Sequence, residues 1–310
     1  MKKKINIGTR GSALALWQAR WVQSRLHEIY PDAIIELQII KTKGDKILDV
    51  PLAKIGGKGL FVKEIETALL NNEIDLAVHS MKDMPSEIPD GLCLGAITER
   101  ENPLDVLISS NGSELKDLPK TARIGTSSLR RSSQILHVYP ELQIVPLRGN
   151  LDTRLKKLDS ENLDAIILAA AGVIRLGLEE RITSFFETEF ILPAVGQGAL
   201  GIEIREDDSL MQKTMHRLND FETQVAVHAE RAFLHQLEGG CQVPIAAHAT
   251  VKNQTLHLTG MVAGLSGQPL IREAITGHTD QAVLLGQTLA ENLLQKGAKE
   301  ILTNIVNCES

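Results

Sequence analysis

Arginine recurs in this sequence at one kind of place, just past a short apolar run. Arg10 stands in GTRGS, Arg130 and Arg131 in GTSSLRR, Arg148 in PLRGN with Arg154 shortly after it, and Arg175 in AAGVIRLG. A guanidinium presents a planar fork that matches a carboxylate or phosphate in two hydrogen bonds. Each such charged bond contributes about 1.5–3 kcal/mol when well made. Ser12, Thr126 and Ser128 accompany the arginines at expected helix starts, where backbone N–H groups and the helix dipole favour anions. Any one of these arginines reads better as a solvated surface residue or a helix-end salt bridge. Their recurrence at equivalent points reads better as one or two faces that bind a ligand rich in negative groups.

Two further residues stand out. Asp83, in HSMKDMPS next to Lys82, places a carboxylate at a strand end among cations. There it can stabilise a positive charge developing on a substrate or hold an N–H donor. Taken alone it also reads as a turn residue bonding its own backbone before Pro85. Cys241, in LEGGCQVP, is one of three widely spaced cysteines, so neither a disulfide framework nor a zinc-type pair is expected. Gly239 and Gly240 let another group approach its sulfur. Core thiol, catalytic nucleophile and covalent anchor all remain open for it.

The elements that must position these residues follow from periodicity. KINIG, AIIELQII and IDLAVHS read as strands, with helices over about 12–28 and 60–70. The alternation restarts after residue 103: DVLISS, ARIGTSS, LQIVPLRG and the apolar run 163–172 read as strands, with helices opening near Ser128 and Leu151. Strands alternating with helices imply two α/β units, and ligands bind outside the carboxyl ends of such strands. Residues 191–205 read as a return passage into another strand. The remainder changes character. A helix over about 223–237 precedes three β-like runs and a final helix expected to start at Thr279, an α+β pattern.

The totals exclude several classes. A net charge of −6 and few aromatic residues argue against a nucleic-acid partner. No apolar run is long enough to span a bilayer, and MKKKINIGTR lacks an apolar signal core, so a cytoplasmic protein is expected. No histidine spacing suggests a metal site. GQGALG (196–201) matches a dinucleotide fingerprint but leads into a strand instead of opening a helix, and GGKG (56–59) lacks the spacing of a phosphate loop.

ERAFLHQLEGGCQVPIA (230–246) resembles the signature of the porphobilinogen deaminase (hydroxymethylbilane synthase) family. IGTRGSALALWQA, TKGDKILDVPLAKIGGKGLFVKEIE, AVHSMKDMPSEIPDGL, IGTSSLRRSSQ, LRGNLDTRL and LPAVGQGALGIE resemble that family's other blocks, in the family's order. The resemblance implies two α/β domains similar to each other and to two-lobed periplasmic binding proteins, with an active-site cleft between them, plus a smaller C-terminal α+β domain. The expected boundaries are 1–99 with 200–216, 105–191 and 220–310, with hinges at 99–104 and 191–199. It implies a dipyrromethane cofactor joined to Cys241 by a thioether, onto which four porphobilinogen units are added, each losing ammonia, before hydroxymethylbilane is released. It further implies that Asp83 is the catalytic carboxylate. Lys82, Thr126, Ser128, Arg130, Arg131 and Arg154 would serve the cofactor. Arg10, Ser12, Arg148, Arg154 and Arg175 would serve the substrate or growing chain, and Lys54 and Lys58 would lie on a mobile cover. A monomer is the family expectation.

Overall fold

The computed structural model describes residues 4–46, 62–237 and 243–309. The chain divides into two compact units, Met1–Glu101 with Ala199–Gln224, and Asn102–Gly198 with Val225–Ser310.

The first unit opens with β1 (Lys4–Thr9), α1 (Ala13–Ile29) and β2 (Ile34–Ile39). Ser12 caps α1, its Oγ accepting from the Ala15 N–H at 3.3 Å. The spacing of Leu14, Trp17, Trp21 and Val22 suggests one buried face; Val22 is buried, with Gln18, Ala19 and Leu26, while Leu14, Trp17 and Trp21 are only partly so. Gln18 on this stripe donates from Nε2 to Ser80 Oγ at 2.9 Å. Next come α2 (Lys63–Leu70), β3 (Leu76–Ser80) and β4 (Leu92–Ile97).

The second unit contains β5 (Asp105–Ser109), β6 (Arg123–Gly125), α3 (Leu129–Val138), β7 (Gln143–Val145), α4 (Leu151–Ser160), β8 (Ala165–Ala169), α5 (Ala170–Arg175) and β9 (Ser184–Phe186). The apolar run 163–172 is therefore not one strand, since it turns helical at Ala170. The chain then returns to the first unit as β10 (Leu200–Arg205) and α6 (Ser209–Met215).

Both sheets have five strands in one topology. The orders are β2-β1-β3-β10-β4 and β7-β6-β8-β5-β9. In each, the first three strands are parallel and the fourth runs antiparallel to both neighbours. Alternate residues feed opposite faces. On β8, Ile167 joins Leu107, Ile124 and Ile135 on one side, while Ile166 and Leu168 join Val106, Leu155 and Val173 on the other. Burial on both faces is why these strands read as nearly unbroken apolar runs.

The C-terminal part is α7 (Phe221–Gln236), β11 (Ile245–Lys252), β12 (Thr255–Ala263), β13 (Leu270–His278), α8 (Ala282–Leu293) and α9 (Lys299–Glu309). The three strands form an antiparallel sheet in the order β11-β12-β13. Ala226, Ala229, Phe233 and Leu237, expected on one helix face, are buried together against it. Gly260 on β12 admits the Phe233 ring, because a Cβ there would sit 2.6 Å from it. The last helical segment starts differently from expectation. A 3-10 turn over Thr279–Gln281 intervenes, and its cap is His278, whose side chain accepts from Asp280 N–H. Cys308 lies within α9. The architecture is two α/β domains of common topology with a smaller C-terminal α+β domain.

Candidate active site

In the first unit, two strand ends converge on one pocket. The carboxyl end of β1 delivers Arg10 and Ser12, and the carboxyl end of β3 delivers Ser80 and, through a 3-10 turn over Met81–Asp83, Asp83. Met81 N–H donates to the Ala199 carbonyl at 3.0 Å and Met84 N–H to the Met81 carbonyl at 3.2 Å, which fixes this turn. Arg10, Ser12, Gln18, Val62, His79, Ser80 and Asp83 line the pocket with Leu14, Ala15 and Val78. Asp83 is the only carboxylate among these lining residues, and it is exposed. Lys82 is half-buried beside it.

The equivalent strand end in the second unit is that of β6. Thr126 is buried, its N–H donating to the Val145 carbonyl and its Oγ1 accepting from Ser128 N–H at 3.2 Å. Ser128 is the N-cap residue of α3, without a side-chain cap bond. Arg130 and Arg131, in the first turn of α3, point inward to one carboxylate. Arg130 Nη1 donates to Asp105 Oδ2 at 2.5 Å, and Arg131 Nη2 and Nε donate to Asp105 Oδ1 at 2.7 and 3.0 Å. Arg130 Nη1 and Arg131 Nη1 also reach the Leu192 and Ile167 carbonyls. Gln197 Nε2 adds a bond to Asp105 at 3.1 Å. Asp105 is fully buried. Burial alone would raise its carboxyl, but the charges of Arg130 and Arg131 and their hydrogen bonds hold it well below the usual carboxylate range.

Three other arginines of this unit lie past a strand or on the helix that follows one. Arg148 is half-buried just past β7, and Arg154 on α4 donates from Nε to the Gly149 carbonyl at 2.8 Å. Asn150 caps α4 by accepting from Thr153 N–H at 2.9 Å. Arg175 is buried at the end of α5, with Nη2 donating to the Gly198 carbonyl at 2.7 Å. Gly196 and Gly198 have φ of 70° and 90°, so GQGALG is a left-handed passage into β10 and not a dinucleotide loop.

Cys241, Lys54 and Lys58 lie outside the described residues. The helix leading towards Cys241 is anchored by Glu230 of α7, buried, which accepts from Gly196 N–H at 2.6 Å and Ala249 N–H at 2.8 Å. Asp105, Gln197, Gln18 and His79 were not anticipated from sequence. One signal was present for Asp105, a charged residue directly before the apolar run VLI.

The sequence matches the family model "Porphobilinogen deaminase, dipyromethane cofactor binding domain" over residues 5–213 and "Porphobilinogen deaminase, C-terminal domain" over residues 224–295. The chain belongs to the porphobilinogen deaminase family. Among curated members, the porphobilinogen deaminase of Geobacter metallireducens is 56% identical, covering 99% of this chain and 96% of its own. That of Pelobacter propionicus is 52% identical over 99% of both chains. Among solved structures, the methionine binding protein MetQ superposes with a TM-score of 0.45 at 15% identity, over 70% of this chain and 90% of that one.

The family model names a dipyrromethane cofactor; Arg10 and Ser12 line the pocket with donors of the kind a carboxylate-bearing group needs, whereas the forks of Arg130 and Arg131 are taken by Asp105. Two guanidiniums face the single Asp105 carboxylate, which leaves one positive charge in surplus. Arg130 Nε is buried with no hydrogen-bond partner among the described residues.

Proposed function

We propose that the pocket holding Asp83 is where this chain carries out its family's reaction. The chain is a transferase of tetrapyrrole biosynthesis that joins four porphobilinogen units head to tail on a dipyrromethane primer and releases hydroxymethylbilane. The observation that carries the assignment is a single carboxylate, Asp83, lining a pocket with Arg10 and Ser12 at the strand ends of an α/β sheet.

In this reading Asp83 faces the positive charge that grows as ammonia departs, and accepts hydrogen bonds from pyrrole N–H groups. Arg10, with Ser12 at the α1 N-terminus, holds carboxylates of the incoming porphobilinogen. Arg148, Arg154 and Arg175 hold those of the substrate or growing chain. Lys82, Thr126 and Ser128, with Arg154, hold those of the primer. Arg130 and Arg131 act from behind. Their forks are spent on Asp105, and their surplus charge makes the strand end attractive to anions. Lys54 and Lys58 would cover the site. The primer, once bound, would supply the acceptor ring for the first unit and keep the growing chain on the protein.

Cys241 is assigned as the thioether anchor, and intact mass tests it. The wild-type holoenzyme should weigh more than its polypeptide, and Cys241→Ser should match the bare polypeptide even after incubation with porphobilinogen. A wild type that still shows only polypeptide mass after substrate is added removes the anchor.

No helix among the described residues is long and apolar enough to cross a membrane. We further propose a cytoplasmic monomer with no nucleic-acid partner, in keeping with the net charge of −6. Sedimentation of the holoenzyme should give the mass of one chain, and a two-chain mass would overturn this.

A further inference from the structure

The Asp83 pocket is backed by buried titratable groups that the reading above leaves unused. His79 lines the pocket but is only 5% exposed, and its Nε2 lies 3.1 Å from Oε2 of Glu203, which is wholly buried. The register of β3 with β10 sets Glu203 opposite Ala77 and Gly201 opposite His79, so the two side chains are diagonal neighbours on one sheet face. Ala77 on that face packs with Ile65 and Leu69 of α2, which also brings in Glu66. Oε1 of Glu203 and Oε1 of Glu66 are buried without a hydrogen-bond partner among the described residues. Burial first, and the charge of Glu203 second, push the Glu66 carboxyl up, against the pull of His79 and Lys63. The geometry sets the Glu203 carboxylate, through Oε2, as the partner of the His79 imidazole. From β4, the Cys93 thiol is pushed up by burial, then by the charges of Glu206 and Glu203. On the pocket side the charged neighbours are Arg10 and Asp83.

Each coupling in the proposed reaction forms a C–C bond between the aminomethyl carbon of porphobilinogen and the free α-carbon of the accepting ring. The C–N bond breaks and ammonia leaves with its electron pair. The α C–H bond also breaks, and its proton needs an acceptor. Of the polar groups lining the pocket, Arg10 cannot accept a proton, and Ser12, Ser80 and Gln18 are a hydroxyl pair and an amide. Asp83 is occupied with the positive charge. A histidine remains, the side chain suited to proton exchange near neutral pH. A carboxylate that accepts one ring N–H fixes the tautomer, orients the ring and stabilises the cation formed when the other nitrogen is protonated. Nδ1 of His79 has no hydrogen-bond partner among the described residues.

We propose that, once the C–C bond has formed, Nδ1 of His79 takes the proton released at the α-carbon and passes it to the ammonia already freed, with Glu203 as the positioning residue that holds the ring at Nε2. This rests on the Asp83 pocket being the reaction site.

The test uses the holoenzyme. His79→Gln should lower kcat on the order of 100-fold with KM little changed. Glu203→Gln keeps the shape and removes the charge, so kcat should fall by about 10-fold or more, and a primary isotope effect with α-deuterated porphobilinogen should emerge or grow. In the wild type, nitrogen NMR should find the hydrogen of the neutral His79 ring on Nε2. Undiminished kcat in His79→Gln, or a slow Glu203→Gln without the larger isotope effect, overturns the proposal. So does a neutral His79 ring protonated at Nδ1, which can be read even if neither variant folds. A wild type that releases no ammonia from porphobilinogen sinks the assignment of the reaction itself. A wild type that reacts, beside an equally active His79→Gln, sinks only the role of His79.

Discussion

Asp83→Asn should give a folded protein whose release of ammonia from porphobilinogen is slower on the order of 10²–10³-fold or more. The substitution keeps the shape of the side chain and removes its charge. Asp83 is exposed at a turn held by backbone bonds of Met81 and Met84, and its side chain carries no hydrogen bond among the described residues. Its loss should therefore move stability by no more than about 0.5 kcal/mol. The effect belongs in kcat, because the charge it opposes exists only as the C–N bond breaks. Ammonia release and a thermal melt on the same sample decide the matter. Near-normal turnover with an unchanged melt would remove Asp83 from the chemistry.

Asp105→Asn should do the opposite, damaging the fold before anything else. Two buried guanidiniums share this one buried carboxylate. An asparagine of the same shape leaves them facing each other without a counter-charge, and breaking such a pair costs about 3–5 kcal/mol. That is a large part of the stability of an ordinary domain. The pH dependence has a definite sign. The folded-state carboxyl lies below its unfolded value of about 3.9, so its contribution is fully present above that value and fades as pH falls through the folded one. The deficit of the variant in denaturant unfolding should be full at pH 7 and should narrow progressively below about pH 4. An Asp105→Asn protein as stable as the wild type at pH 7 would show that the arginines are satisfied without it.

The distance between these two aspartates as sequence features explains what could be read in advance. Asp83 was visible because a carboxylate after IDLAVHS is odd in local company, and its surroundings are themselves local: a strand, a turn, a lysine. Asp105 was not, because a charge at the start of DVLIS reads as a strand leaving the surface. Its burial depends on Arg130 and Arg131 of α3 and on Gln197, which are far away in sequence. For the same reason Arg130 and Arg131 looked like free cations at a helix start. The strands were readable because core residues alternate or run unbroken. The end of β8 was not, because alanines at 169–171 suit strand and helix alike. Cys241 could be given a role only through the ordered blocks around it, since nothing in Gly-Gly-Cys distinguishes an anchor from a nucleophile.

The position of β10 has a consequence for how the chain is made. In the first sheet it lies between β3 and β4, and among the described residues β4 pairs with no other strand. A ribosome that has delivered residues up to Ile97 has supplied four of the five strands but not the one that joins the fourth to the rest. The second sheet draws all its strands from residues 105–186 and can close first. The amino-terminal domain is therefore the later of the two α/β domains to be completed during synthesis. Until Arg205 emerges, its edge at β3 stays open to any other strand that can pair with it.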